Sequence, residues 1–290
     1  MAVYDHGYKG YSGPLMPART RFLVISRYGL RDVFASKLFL AFFAFCFAWP
    51  LVLLVAMYLR YNAEALALIN IDSGDLLEFV QVNTWFFQNL FLRAQLYLAF
   101  IVVLVVGPSL VSADLRNRAM PLYLSRPLTR TDYVLGKLVV LGVLVSAITW
   151  APGLLLFVIQ ASLGGREWLL EHWRIAPSLV LLSAVWTLCM SLPMLAIAAW
   201  VKWKPWARIV FMGAILTGTA FGEFYKQFYD SWLGSMVVAF DVTDALSDAV
   251  FGVESPGEMP AAAAWVAVVG LAALSAALLY RRVRAFEVVK

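Results

Sequence analysis

The chain has 290 residues, of which 62% are hydrophobic and only 14% charged, with a formal net charge of +5 and a mean hydropathy of +0.79. A soluble domain carries roughly a quarter charged residues, so this composition excludes an ordinary water-soluble globule and makes lipid part of the solvent. The positive balance does not mark a nucleic-acid binder, because the basic residues gather at the ends of apolar runs, where membrane topology accounts for them.

Residues 1–37 read as a cytoplasmic N-terminal segment with no cleavable signal, since the first apolar run begins only near Leu38, after a basic and aromatic stretch. Charges recur too often in residues 17–37 for a span. Wound as a helix, this stretch puts Phe22, Leu23, Leu30, Val33 and Phe34 on one face. That pattern predicts a helix lying in the inner interface with its basic residues near anionic headgroups. A linker with chance periodicity is the alternative.

Six runs reach or approach the roughly 20 apolar residues that a crossing needs. They are residues 38–59, 92–111, 134–161, 176–201, 209–222 and 261–280. Between the first two, residues 71–91 mix acids, amides and aromatics, which predicts a short outer helix leading into the second span. The third run is longer than a straight crossing and holds Pro152-Gly153, which predicts a kink; Pro193 predicts another in the fourth. Before the last run, residues 223–259 form a long outer loop in which Asp241, Asp244 and Asp248 recur at helical spacing along one side. A cation site and the solvated face of an interfacial helix both fit those acids, while Val238, Leu246 and Val250 face lipid or protein. The fold class is therefore all-α: a polytopic membrane protein with six transmembrane helices, an N-terminal interfacial helix and an outer hydrophobic excursion before the last helix. Residues 38–290 make one domain.

Orientation follows from Lys and Arg. With the N-terminus inside, all of the 23 basic residues except Arg60, Arg93, Arg166, Arg174 and Lys226 fall in cytoplasmic segments, and the outer loops collect acids such as Glu64, Asp72, Asp75, Glu78 and Glu254. Both termini are accordingly expected in the cytoplasm, with the protein in the bacterial plasma membrane.

Chemistry-bearing residues are scarce. Cys46 and Cys189 lie inside apolar runs and read as small buried hydrophobes. His6 and His172 have no neighbouring Cys, so no metal-ligand spacing exists. The spans hold almost no ionisable residue, which argues against a proton pump or an intramembrane protease. Ser146, Thr149, Ser183, Thr187 and Ser191 read as helix and helix–helix hydrogen-bonding hydroxyls. The chain has no phosphate-binding loop, since Gly136-Lys137 is followed by Leu at the start of a span. No catalytic, cofactor-binding or metal-binding residue is expected, and any ATP that drives the protein is hydrolysed by another polypeptide. Small residues Gly213, Ala214, Gly218 and Gly222 form a helix-pairing surface in the fifth span, serving either a subunit interface or packing within the chain.

The most informative stretch is the polar, Arg-rich island at about 112–133, wedged between the second and third spans. Its residues Leu122-Tyr123-Leu124-Ser125-Arg126-Pro127, followed by Arg130, Tyr133, Gly136 and Lys137, resemble the loop between the second and third spans of type-2 ATP-binding-cassette (ABC) permeases. In that family an acidic-x-Arg start, here Asp114 and Arg116, precedes a Ser-Arg-Pro-hydrophobic-x-Arg-x-x-Tyr-x-x-Gly-Lys stretch. The order of interface helix, six spans and outer excursion is also similar to the family across most of the chain.

The resemblance implies a membrane subunit that pairs with a second permease copy or relative. It further implies two cytoplasmic ABC ATPases, which hold the ATP and Mg, docked on this loop. Leu122, Tyr123 and Leu124 would supply apolar contact, Arg116, Arg118, Arg126 and Arg130 charge complementarity, and Pro127 would stop the short helix. The function expected is the permease subunit of an ATP-driven exporter. The alternative is a non-transporting subunit that anchors or assembles a larger membrane complex. An apolar, weakly charged interior suits lipids, amphiphiles or hydrophobic drugs better than small ions.

Overall fold

A computed structural model describes residues 17, 20–62, 81–117, 128–201, 203–254 and 259–282. Among these residues the structure is helical and contains no strand. The elements are α1 (Phe22–Phe34), α2 (Lys37–Phe45), α3 (Ala48–Tyr61), a π-helical segment (Phe86–Leu92), α4 (Arg93–Arg116), α5 (Arg130–Ile148), α6 (Trp150–Glu171), α7 (Ile175–Trp200), α8 (Lys204–Tyr229), a 3-10 segment (Trp232–Val237), α9 (Ala239–Phe251) and α10 (Ala261–Arg282). Six stretches are long and apolar enough to cross a membrane: Lys37–Tyr61, Phe86–Asp114, Arg130–Glu171, Ile175–Trp200, Lys204–Tyr229 and Ala261–Arg282.

α7 is the hub, touching α4, α5, α6, α8, α9 and α10. Its neighbours close around a core in which Val102, Val140, Leu144, Leu179, Met194 and Ala198 are wholly buried. Small residues set the close crossings, as expected where lipid removes the hydrophobic drive between helices. A Cβ on Gly107 of α4 would lie 2.5 Å from Met194 Cγ of α7. The outward faces carry large apolar side chains, among them Leu51, Val55, Trp206, Ile209, Leu216, Val266 and Val269, all more than half exposed. Water would not tolerate that surface, whereas hydrocarbon solvates it. A helix bonds its own interior backbone groups, the condition a bilayer imposes on a spanning segment.

Polar side chains finish the broken ends. Trp49 Nε1 donates to the Leu90 carbonyl of the π-helical segment at 2.9 Å, and Trp168 Nε1 donates to the Val82 carbonyl at 3.0 Å. The third span breaks at Thr149 (φ −103°, ψ −95°), three residues before Pro152. Pro152 has no N–H for the Ile148 carbonyl and its ring crowds that group, so the interruption falls one turn upstream of the proline. A second break follows at Gly165, whose φ of 78° suits glycine. α7, in contrast, runs through Pro193 without interruption.

α1 forms; Ile25, Ser26, Gly29 and Val33 make the stripe packed on protein, while Leu23 and Phe34 are exposed. One further expectation is revised. α8 runs to Tyr229, so residues 223–229 continue the fifth span rather than opening a loop. Of residues 71–91, those up to 80 lie outside the described set, and Phe86–Leu92 is π-helical.

Candidate functional site

The two ends of the Arg-rich island are joined by a compact polar clamp. α4 delivers Asp114 in its last turn, and α5 delivers Tyr133 and Lys137 one turn apart on the same face. Lys137 Nζ lies 2.9 Å from Asp114 Oδ2, with side chains only 8% and 18% exposed. The Tyr133 hydroxyl donates to the same carboxylate oxygen at 2.9 Å, and the Lys137 ammonium stands 5.3 Å from the Tyr133 ring centroid. Tyr133 is itself 1% exposed. A carboxylate, an ammonium and a phenol thus neutralise one another at the mouth of the bundle, where an unpaired charge would be costly.

Gly136 brings α1 to this clamp. A Cβ there would meet Ile25 Cβ at 2.8 Å and the Phe22 carbonyl oxygen at 3.0 Å. Ser26 Oγ donates across the crossing to the Gly136 carbonyl at 3.0 Å. α5 starts with a capping box: Asp132 N–H donates to Thr129 Oγ1, and Thr129 N–H donates to Asp132 Oδ2. Arg116 is exposed and Arg130 half-buried. Arg118, Leu122, Tyr123, Leu124, Ser125, Arg126 and Pro127 lie outside the described residues. The expected coupling set therefore divides. Asp114, Tyr133 and Lys137 build the base with side chains spent on internal contacts, and Gly136 gives it the room for α1.

Other chain ends meet at this same end of the bundle. Ser112 Oγ donates to the Ala198 and Val201 carbonyls at 3.0 and 2.9 Å, and Arg282 Nε donates to the Ala199 carbonyl at 3.4 Å. Arg208 Nη2 reaches the Val105 carbonyl at 3.1 Å. The C-terminal ends of α4, α7 and α10 and the N-terminal ends of α5 and α8 are thus collected together, with the basic residues they carry.

At the opposite end, α9 presents Asp241, Asp244 and Asp248 along one side, and each reaches a different element. Lys226 Nζ of α8 lies 2.8 Å from Asp241 Oδ2 and 2.6 Å from Glu223 Oε1. Arg93 Nη2 of α4 donates to Asp244 Oδ1 at 2.7 Å. Gln88 Nε2 of the π-helical segment donates to Asp248 Oδ1 at 2.6 Å. Burial raises the Asp244 carboxyl above its ordinary value, against the lowering pull of Arg93. Neither a cation site nor a freely solvated face describes these acids: they fasten α9 across the bundle. Val238 and Leu246 face protein, each 2% exposed. No group of three or more His, Cys, Asp or Glu suited to a metal ion occurs among the described residues.

The small residues of α8 also divide. A Cβ on Gly222 would collide with Val238 Cγ2 and lie 2.6 Å from the Gly234 carbonyl oxygen, and one on Gly218 would lie 3.1 Å from the Val237 carbonyl oxygen. Both glycines therefore serve packing within the chain. Ala214 is exposed, and a Cβ on Gly213 would have nothing within 4 Å.

Among the hydroxyls, Thr149 donates to the Val145 carbonyl at 2.8 Å and Thr187 to that of Ser183 at 2.6 Å, the local bonding expected of them. Cys46 and Cys189 are free and buried. Three buried amides escaped the sequence reading: Gln88, Gln95 and Gln160. Gln95 Nε2 donates to the Cys46 carbonyl at the α2–α3 break at 3.1 Å, and Gln160 Nε2 to the Tyr61 hydroxyl at 2.8 Å.

Compared with known proteins, the sequence matches no family model and no curated protein.

Proposed function

We propose that this chain is the membrane-spanning permease subunit of an ATP-driven exporter of the type-2 ABC kind. A separate cytoplasmic ATPase docks on the loop at about 112–133 and supplies the ATP- and Mg-dependent step. A second permease copy or relative completes the transporter in the plasma membrane, with both termini cytoplasmic. The basic residues gathered at the clamp end fit that orientation.

The observation that carries the proposal is the clamp itself. Asp114, Tyr133 and Lys137 tie the end of α4 to the start of α5, 2.9 Å apart at both contacts, and α1 is wedged against Gly136. Force applied to the loop between them is then transmitted into two spanning helices instead of being lost in a slack hinge. On this reading the apolar and basic residues of the loop centre meet the ATPase, and hydrolysis belongs to that partner.

The test is affinity purification from native membranes with a photo-crosslinker at Tyr123 or Arg126. Recovery of a phosphate-loop ATPase in near-equal amount, crosslinked through either position, is the expected result. Recovery of only non-ATPase partners would overturn it in favour of an anchoring or assembly subunit.

A further inference from the structure

Native interiors hold few voids larger than a water molecule, yet a hollow of about 160 Å³ lies between α7, α9 and α10. Its walls include Leu182, Trp186 and Met190 of α7, Val242 and Leu246 of α9, and Val268 of α10. Each of these is under 10% exposed. A dry apolar cavity of about this size takes up an apolar guest rather than water. The hollow is not sealed. Two of its lining residues, Val237 of the 3-10 segment and Leu271 of α10, are 51% and 41% exposed, and both are apolar. Its opening therefore faces the same medium as the lipid-type surfaces of α8 and α10. Leu182, Trp186 and Thr243 also line a neighbouring smaller hollow bordered by Gln88, Arg93 and Asp244.

We propose that this hollow is a lipid site: it takes a segment of one acyl chain of a bilayer phospholipid, entering sideways between Val237 and Leu271. The occupant is argued from three features together: the apolar walls, the apolar mouth, and a volume of about 160 Å³, which holds a few methylenes. The chain contacts α9, the element fastened by Asp241, Asp244 and Asp248, so an acyl chain stabilises the packing of α9 on α7 and α10. The site requires only that the protein is embedded in a bilayer and is independent of the ATPase proposal.

The experiment uses the full chain in phosphatidylcholine nanodiscs doped with phosphatidylcholine bearing a diazirine along its acyl chain. After photolysis, labelled residues are mapped by peptide mass spectrometry. Lining residues of α7, α9 and α10 are expected to label about tenfold more than the exposed α8 residues Leu216 and Phe221; a tenfold preference is one decade in occupancy. Ala267→Leu and Thr243→Leu, tested separately, fill the hollow and should bring its labelling down to the α8 level while α8 labelling is unchanged. Wild-type labelling of the lining no higher than that of α8 would overturn the proposal. So would undiminished lining labelling in both variants.

Discussion

Lys137 and Asp114 are 2.9 Å apart although 23 positions and an Arg-rich polar island separate them in the chain. Their pairing converts two helix ends into one rigid base. Because both side chains are mostly buried, removing one partner strands the other. Lys137→Met is expected to lower the unfolding free energy by about 3 kcal/mol. Asp114→Asn combined with Lys137→Met should cost at least about 1 kcal/mol less than the two single changes summed, as residues in direct contact do. Denaturant unfolding of the purified chain in one fixed detergent reads this cycle, and strict additivity would contradict a direct pairing.

α1 is held on α5 by the absence of side chains. Gly136→Ala puts a methyl 2.8 Å from Ile25 Cβ and 3.0 Å from the Phe22 carbonyl oxygen, an overpacking that costs about 1–3 kcal/mol. On the same helix Gly142 has nothing within 4 Å of its Cβ position. Gly142→Ala should therefore be neutral or stabilising by about 0.5–1 kcal/mol, since glycine weakens a helix interior by that amount. Limited trypsin digestion at Arg27 and Arg31 of α1 gives a local readout. Cleavage there should accelerate in Gly136→Ala and not in Gly142→Ala.

The three acids of α9 should rank by the burial of their partners. Asp248→Ala leaves the Gln88 amide, 5% exposed, without its acceptor, and a buried donor so stranded costs about 1–3 kcal/mol. Asp244→Asn breaks an ion pair with side chains 47% and 49% exposed, which is worth no more than about 1 kcal/mol. Thermal unfolding should therefore find Asp248→Ala clearly the more damaging. If Asp244→Asn proved equal or worse, the fastening role assigned to Asp248 would fail.

Much of the architecture could be read ahead of the structure because membrane spans announce themselves by length and apolarity alone. All six apolar runs fall within helices of the expected type. The helical placing of Asp241, Asp244 and Asp248 on one side also follows from spacing. Their partners do not: Gln88 and Arg93 are 160 and 151 positions away from Asp248 and Asp244, and no local pattern reports a contact at that range. The stripe that packs α1 on α5 has no apolar pattern to mark it, because Ser26, Gly29 and Gly136 set that crossing through their small size. Gln95 and Gln160 are single amides in apolar runs, with no periodicity to mark them. For the island, the resemblance pointed at thirteen residues without separating those that build its base from those available to a partner. Burial makes that distinction at Asp114, Tyr133, Gly136 and Lys137.

That division yields the sharpest test of the transport proposal. Residues of the base and residues of the loop centre should fail in different ways. On that proposal, Arg126→Glu, or a charge at Tyr123 or Leu124, alters groups that meet the ATPase. Such variants should insert and unfold as the wild type does, yet lose most of the substrate-stimulated ATP hydrolysis of the co-purified complex. Lys137→Met loosens the base, so it should lower hydrolysis and stability together while still capturing the ATPase through a crosslinker at Tyr123. Measuring unfolding, crosslink yield and stimulated hydrolysis on the same preparations separates contact from transmission. If Arg126→Glu keeps wild-type hydrolysis and Lys137→Met does too, the island is a topological signal only. Its arginines would then hold the loop in the cytoplasm and do nothing more.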